Sequence, residues 1–391
     1  MHKVLLSISL VFLAGCGGVG GVTPTYSIGG TVSGLTSGSL VLKNNNGDDL
    51  TINANSTSFT FATGLASGAA YVVTAGTMPS RLACDISNNT GTIDGENITN
   101  VTIKCIAPVY LTNYGGKTVS MYAINATTGV LTALTTPTIA TQSGPARIAV
   151  NPAGTFAYVT NNVSNTVSMY AINVTTGILT ALTTPTIATQ SGPAQIAVNP
   201  AGTFAYVANS GSNTVSMYAI NASTGILTAL ATPTIATGTN PRLIAVNPAG
   251  TFAYVANYGS NTVSMYEINA TTGILTALAT PTIAAGTNPF SIAVNPAGTF
   301  AYVTNYVSNT VSMYEINATT GILTALATPT IATGTNPGSI AVNPAGTFAY
   351  VANYGSNTVS MYEINATTGI LTALATPTIA TGTNPVAIAF K

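Results

Sequence analysis

Apolar and polar residues alternate along this chain in short runs, and the runs recur. Asn-Pro-Ala-Gly-Thr-Phe begins at Asn151, Asn199, Asn247, Asn295 and Asn343, and Thr-Val-Ser-Met-Tyr begins at Thr118, Thr166, Thr214, Thr262, Thr310 and Thr358, so the repeat is 48 residues long. Each unit predicts four strands: in the first full copy these are residues 148–150, 156–159, 166–170 and 178–182. β-Branched and aromatic residues fill them, while Asn-Pro-Ala-Gly, an Asn-rich loop and Asn-x-Thr-Thr-Gly separate them. Four short strands per repeat of this length predict a β-propeller blade, which buries its two faces only by stacking on neighbouring blades. The array starts at Val109 in what matches a second strand, and ends on Ile388-Ala389-Phe390, which matches a first strand. The last strand is therefore expected to complete the first blade, giving an all-β six-bladed propeller over 108–391, with seven blades as the alternative.

The pattern upstream is different. Residues 26–107 carry short alternating runs such as Leu40-Val41-Leu42 and Phe59-Thr60-Phe61, punctuated by Gly and Asn clusters such as Asn44 to Gly47. This spacing predicts a small β-sandwich. It holds Asp48, Asp49, Asp85, Asp94 and Glu96, most of the acid in the protein. Asp48 and Asp49 precede a strand without calcium-loop spacing and read as a solvated turn. Ahead of the sandwich lie a targeting segment, 1–15, with an apolar run from Val4 to Leu13, and a Gly-rich tether, 16–25. That run is too short to span a bilayer, which takes roughly 20 residues.

Composition narrows the partners. Only 4% of the 391 residues are charged and the formal net charge is zero, where soluble domains carry roughly a quarter. No basic tract is present to neutralise phosphates, so nucleic acid is not expected as a partner.

Three stretches carry resemblances. Leu13-Ala14-Gly15-Cys16 resembles the lipobox of bacterial lipoproteins, which implies cleavage before Cys16, lipidation of Cys16 and attachment to a membrane in the bacterial cell envelope. Gly17 in the following position favours the outer membrane. With Cys16 lipidated in an exported and oxidising setting, Cys84 and Cys105 are expected to form one disulfide. Two free thiols or a metal pair are the alternatives, and the only histidine, His2, leaves with the targeting segment. Residues 26–107 resemble the immunoglobulin-like or transthyretin-like sandwiches that precede larger domains in bacterial secreted lipoproteins. Tyr158 to Asn161 and Tyr206 to Asn209, with Ser-Asn-Thr-Val-Ser-Met-Tyr and Ile-Asn-Ala-Thr-Thr-Gly-Ile-Leu-Thr-Ala-Leu, resemble the YVTN-type and lactonase-like propeller repeats. This family includes bacterial phosphogluconolactonases and is usually seven-bladed, whereas the chain offers six units.

Chemistry-bearing residues are scarce in the repeats. Between Val109 and Lys391 there is no His, Cys, Asp or Trp, and the only acids are Glu267, Glu315 and Glu363. No metal site or cofactor is expected. The three glutamates occupy one repeat position, held by Ala123, Ala171 and Ala219 in the earlier units, and read as solubilising edges. The copies differ mainly on one propeller face. The two positions before the innermost strand read Ala146-Arg147, Ala194-Gln195, Arg242-Leu243, Phe290-Ser291, Gly338-Ser339 and Val386-Ala387, and the loop position reads Tyr114, Asn162, Ser210, Tyr258, Tyr306 and Tyr354, with Lys117 nearby in the first unit. Arg147, Gln195, Arg242 and Phe290, with Lys117 and the four loop tyrosines, are therefore expected to rim the channel mouth and to bind a glycan, a small anionic ligand or a surface protein. From these features the sequence favours a lipid-anchored binding or structural protein. A lactonase-like hydrolase is the alternative, and a self-associating coat protein a further one.

Overall fold

Every regular element among the described residues is a β-strand, as the alternating pattern requires. The computed structural model describes residues 23–125 and 128–388. The targeting segment, Cys16 and most of the expected tether lie outside them.

Residues 145–380 form five sheets of four antiparallel strands each, one per repeat. In the second blade the strands are Pro145–Val150, Phe156–Asn161, Thr166–Ile172 and Leu179–Ala188, running from innermost to outermost. The same four recur through to Pro337–Val342, Phe348–Asn353, Thr358–Ile364 and Leu371–Ala380. The outermost strand is longer than the apolar pattern indicates, running to Ala188 where the spacing predicts an end near 182. The extension contains Pro185, which cannot donate a ladder hydrogen bond. The register shifts between Ser168 and Tyr170 of the third strand, letting the ladder resume beyond it at Thr186. A proline is tolerated there because the strand is the blade's exposed edge.

The first blade contributes three strands: the end of Ile98–Asn113, then Thr118–Ile124 and Leu131–Ala140. Of the expected closing strand, Ala389 and Phe390 lie outside the described residues, and residues 385–388 are not in a strand. Six repeat sheets are thus present among the described residues.

Adhesion between blades explains why the repeats are so alike. Tyr206 and Met217 of the third blade pack against Ala253, Val255, Tyr266, Ile268 and Leu275 of the fourth, so the apolar cores lie between sheets. Burying each such large side chain stabilises by about 1.5–3 kcal/mol. The Tyr206 phenol donates to the carbonyl of Gly273 in the next blade at 2.9 Å, and Tyr266 donates back to the carbonyl of Ala236 at 2.6 Å. Equivalent bonds run from Tyr110, Tyr158, Tyr254 and Tyr302, and from Tyr170, Tyr218, Tyr314 and Tyr362. Gly273 has a φ of 71°, and a Cβ there would run into the Phe204 ring, so the hairpin turn and the interface both require glycine.

Upstream, Ser39–Asn44, Gly47–Asn53, Ala70–Thr77 and Thr90–Thr92 make one sheet, and Ile28–Ser33, Ser58–Thr60, Ala83–Ser87 and the start of Ile98–Asn113 make the other. Ile28, Leu40, Leu42, Val73, Val101 and Ile103 fill the core they share. Cys84 and Cys105 are paired directly across two adjacent strands and joined by a disulfide. The strand Ile98–Asn113 runs from this unit into the first blade without interruption. The sandwich rests on the rim that carries the Asn-Pro-Ala-Gly turns and the third-to-fourth-strand hairpins: the Cys84 amide donates to the Val174 carbonyl at 3.0 Å, and Gly154 abuts the Arg81 backbone.

Candidate functional site

On the opposite rim, the second-to-third-strand loops and the turns leading into the innermost strands converge on the propeller axis. One position per repeat faces that axis: Ala146, Ala194, Arg242, Phe290, Gly338 and Val386 all line the mouth. Because they come from successive blades and include Val386 beyond the last complete sheet, the axis is reached from all around the ring. The loops are pinned by the backbone and by asparagines. Tyr258 and Tyr306 donate their amides to the carbonyls of Asn240 and Asn288, both left-handed with φ of 55° and 56°. The Asn288 side chain in turn donates to the Tyr258 carbonyl at 2.8 Å.

Arg147 reaches the mouth from the neighbouring position because its side chain is long. Burial pushes its guanidinium below the ordinary arginine value. Arg242 lies over two rings, its guanidinium carbon 5.0 Å from the centre of Tyr258 and 5.8 Å from that of Phe290. Its Nε is buried without a hydrogen-bond partner. Among the described residues the single ion pair is Lys43 with Asp49 in the sandwich, so neither arginine has a counter-charge. The propeller's acids lie at the other end of the strands: Glu267 pairs with Phe252, while the mouth begins after Asn257. Five residues of strand set them about 17 Å apart. Two cations thus line one partly desolvated cavity.

Tyr258, Phe290, Tyr306 and Tyr354 form a row beside the arginines, with successive ring centres 6.2, 5.8 and 6.4 Å apart. Tyr114, more than half exposed, lines the other side together with Asn162. Two expected rim residues are placed elsewhere. Gln195 donates to the Ile196 carbonyl and accepts from the Ile244 amide, both at 2.9 Å, so its side chain bridges the innermost strands of adjoining blades. Ser291 occupies the same repeat position and likewise accepts from the Ile340 amide. Lys117, with a φ of 53°, takes the left-handed turn position that Asn165 and Asn213 hold in later copies, and it lines neither lobe of the mouth. Leu243, Gly338 and Val386 complete the lining; their signal was the same variable pair of positions that exposed the arginines. No three His, Cys, Asp or Glu side chains come together among the described residues.

Residues 107–288 and 279–390 match the family described as lactonase, 7-bladed beta-propeller. The chain belongs to this family. Its lactonase-family fold is shared with solved structures of low identity. A Lactobacillus plantarum protein superposes with a TM-score of 0.63 at 23% identity, covering 71% of this chain and 83% of that one. A candidate 6-phosphogluconolactonase from Bacteroides fragilis gives 0.63 at 19% identity, over 90% and 98% of the two chains. The periplasmic gluconolactonase of Pseudomonas aeruginosa gives 0.60 at 18%, over 72% and 83%. No curated protein matches this member. The family is described as seven-bladed, whereas this lactonase-family chain supplies six repeat sheets among its described residues.

Proposed function

We propose that the channel mouth is where this lactonase-family propeller takes up an anionic lactone and hydrolyses it. The observation that supports this reading is the meeting of Arg147 and Arg242 in one cavity without a carboxylate nearby. One guanidinium pairs with the acidic substituent of the substrate and orients it. The other donates to the ring carbonyl, where negative charge grows as water adds to the carbonyl carbon. The ring C–O bond then breaks, the released oxygen takes a proton, and the product is a hydroxy acid. Among the described residues no imidazole or carboxylate lines the mouth, so the attacking water gives its proton to solvent, and rate enhancement rests on positioning and oxyanion stabilisation. In the test, a neutral sugar δ-lactone and its phosphorylated counterpart are offered to the purified chain in a pH-stat. A kcat/KM at least tenfold higher for the anionic lactone is expected, and Arg147→Ala or Arg242→Ala should abolish that preference. Failure to turn over either lactone defeats the hydrolase reading.

The same lack of a general base favours a second reading, capture of an anionic ligand without turnover. It is distinguished by retained binding of the hydroxy acid in the absence of hydrolysis. The Leu-Ala-Gly-Cys stretch supports export and anchorage through Cys16 in the bacterial envelope. With the sandwich on the far rim, such an anchor leaves the mouth facing away from the membrane. Metabolic labelling with a radioactive fatty acid tests this: Cys16→Ser should lose the label and the membrane fraction.

A further inference from the structure

The mouth is two adjoining lobes with different chemistry. One, of about 390 Å³, is lined by Tyr114 and Asn162 with small and aliphatic neighbours. The other, of about 310 Å³, is lined by the row of Tyr258, Tyr306 and Tyr354. Arg147, Arg242 and Phe290 belong to both, so the cations stand on the boundary. An anion bound between the arginines therefore occupies the junction, and whatever is attached to it extends over aromatic faces. Arg242 strengthens this division: its guanidinium lies over both Tyr258 and Phe290, which ties the cation to the start of the aromatic row.

Gly338 keeps the aromatic lobe open. It takes the axis-facing position that Arg242, Phe290 and Val386 occupy in other blades, and it has no positive φ. A Cβ there would meet only the Val386 carbonyl oxygen, at 3.8 Å, which is ordinary contact. Neither backbone conformation nor crowding requires glycine at this position. Its effect is to leave the tyrosine row uncovered. Rings in such an arrangement accept a planar aromatic group offset or edge-on.

We propose that the ligand of this mouth is bipartite: an acid docked at the Arg147 and Arg242 pair, its anionic group on one of the two guanidinia, which carries an aryl group lying on the Tyr258, Phe290, Tyr306 and Tyr354 row. This rests on the arginine pair being the anion site and adds the class of the attached group. The probes are glucuronate, phenyl β-D-glucuronide, phenyl β-D-glucoside and a disaccharide uronic acid in which a second sugar replaces the phenyl group. The chain has no Trp and 18 Tyr, so quenching of tyrosine emission, read against the Tyr306→Ala variant, reports the row's share, alongside titration calorimetry. Phenyl glucuronide is expected to bind at least tenfold tighter than glucuronate or phenyl glucoside and to quench tyrosine emission. Gly338→Leu, which fills the lobe, and Tyr306→Ala, which opens the row, should each bring the phenyl glucuronide to glucuronate affinity ratio down towards one. Equal affinity for glucuronate and phenyl glucuronide, or tighter binding of the disaccharide acid, overturns the aryl assignment while leaving the anion site standing. Failure of glucuronate itself to bind removes the anion site and this inference with it.

Discussion

The two rims of the propeller are built on the same repeat, yet they have diverged differently. On the rim carrying the hairpins, the turn glycine of each repeat is committed to the adjoining blade and the turn asparagine to its own hairpin. Gly273 receives the Tyr206 phenol and packs its turn against Phe204, and Asn269 holds the same turn through the amides of Thr271 and Thr272. A change there loses an interaction on two blades at once, and the copies are almost identical. On the mouth rim the backbone is tied through asparagines, but no contact of the axis-facing side chain is repeated from blade to blade. That position reads Ala, Ala, Arg, Phe, Gly, Val around the ring. Identity between copies at the turn glycine thus marks adhesion, and disagreement at the axis-facing position marks a surface free to acquire a ligand.

The sharpest challenge to this contrast is alkali. Burial pushes the phenols of Tyr158, Tyr206, Tyr254 and Tyr302 well above their ordinary value, and that of Tyr266 up to about 12 against a smaller lowering by its hydrogen bond to Ser264. The unfolded chain releases these protons near pH 10. Above that pH it therefore binds fewer protons than the folded ring, and stability, fully present below pH 10, falls as pH rises towards the folded values. Tyrosinate absorbance of the buried set should appear only together with loss of the β circular dichroism signal. Stepwise ionisation of these phenols in an intact fold would break the adhesion half of the comparison.

Single-site changes come next. Tyr254→Ala removes a fully buried ring and its bond to Gly321, and should cost about 3–5 kcal/mol in denaturant unfolding. Tyr254→Phe keeps the ring and strands the Gly321 carbonyl, for about 1–2 kcal/mol. On the other rim, Arg242→Ala removes the contacts to Tyr258 and Phe290 together with a buried, unpaired Nε, and should cost no more than about 1 kcal/mol in stability, while weakening hydroxy-acid binding at least tenfold by calorimetry. A large loss of stability there would mean that the mouth, too, is built for adhesion. Smallest of all is the triple change of Glu267, Glu315 and Glu363 to Gln, which lies at the far rim and should leave lactone turnover within experimental scatter. A drop in kcat would move the chemistry to the hairpin side.

Much of the fold was legible because repetition supplies its own alignment. Phe156–Asn161 and Thr166–Ile172 follow directly from β-branched and aromatic runs between Gly and Asn punctuation. The far half of Leu179–Ala188 did not, because Pro185 looks like a terminator until a register shift accommodates it. The strand joining sandwich to ring was hidden for a different reason: Ala107 and Pro108 resemble a linker, and only pairing on both sides of them reveals a continuous strand. At the mouth, Arg147, Arg242, Phe290 and the tyrosines stood out as departures from the consensus. Gln195 stood out equally and is a bridge between blades, since a variable position does not disclose whether its side chain turns to the axis or to the neighbouring strand. The family match favours hydrolysis over the purely structural role that the scarcity of His and Asp suggests, and the arginine pair offers a way to reconcile the two.

The uninterrupted strand Ile98–Asn113 also has a mechanical meaning. A pull applied from the N-terminal side travels along the axis of this strand into the ring, and the disulfide at Cys105 shields the pairing with Ala83–Ser87 from it. Beyond that point the load falls on Ala107–Asn113, whose hydrogen bonds to Thr118–Ile124 lie across the direction of force. The chain therefore meets tension at the one place where its two units are a single piece of backbone.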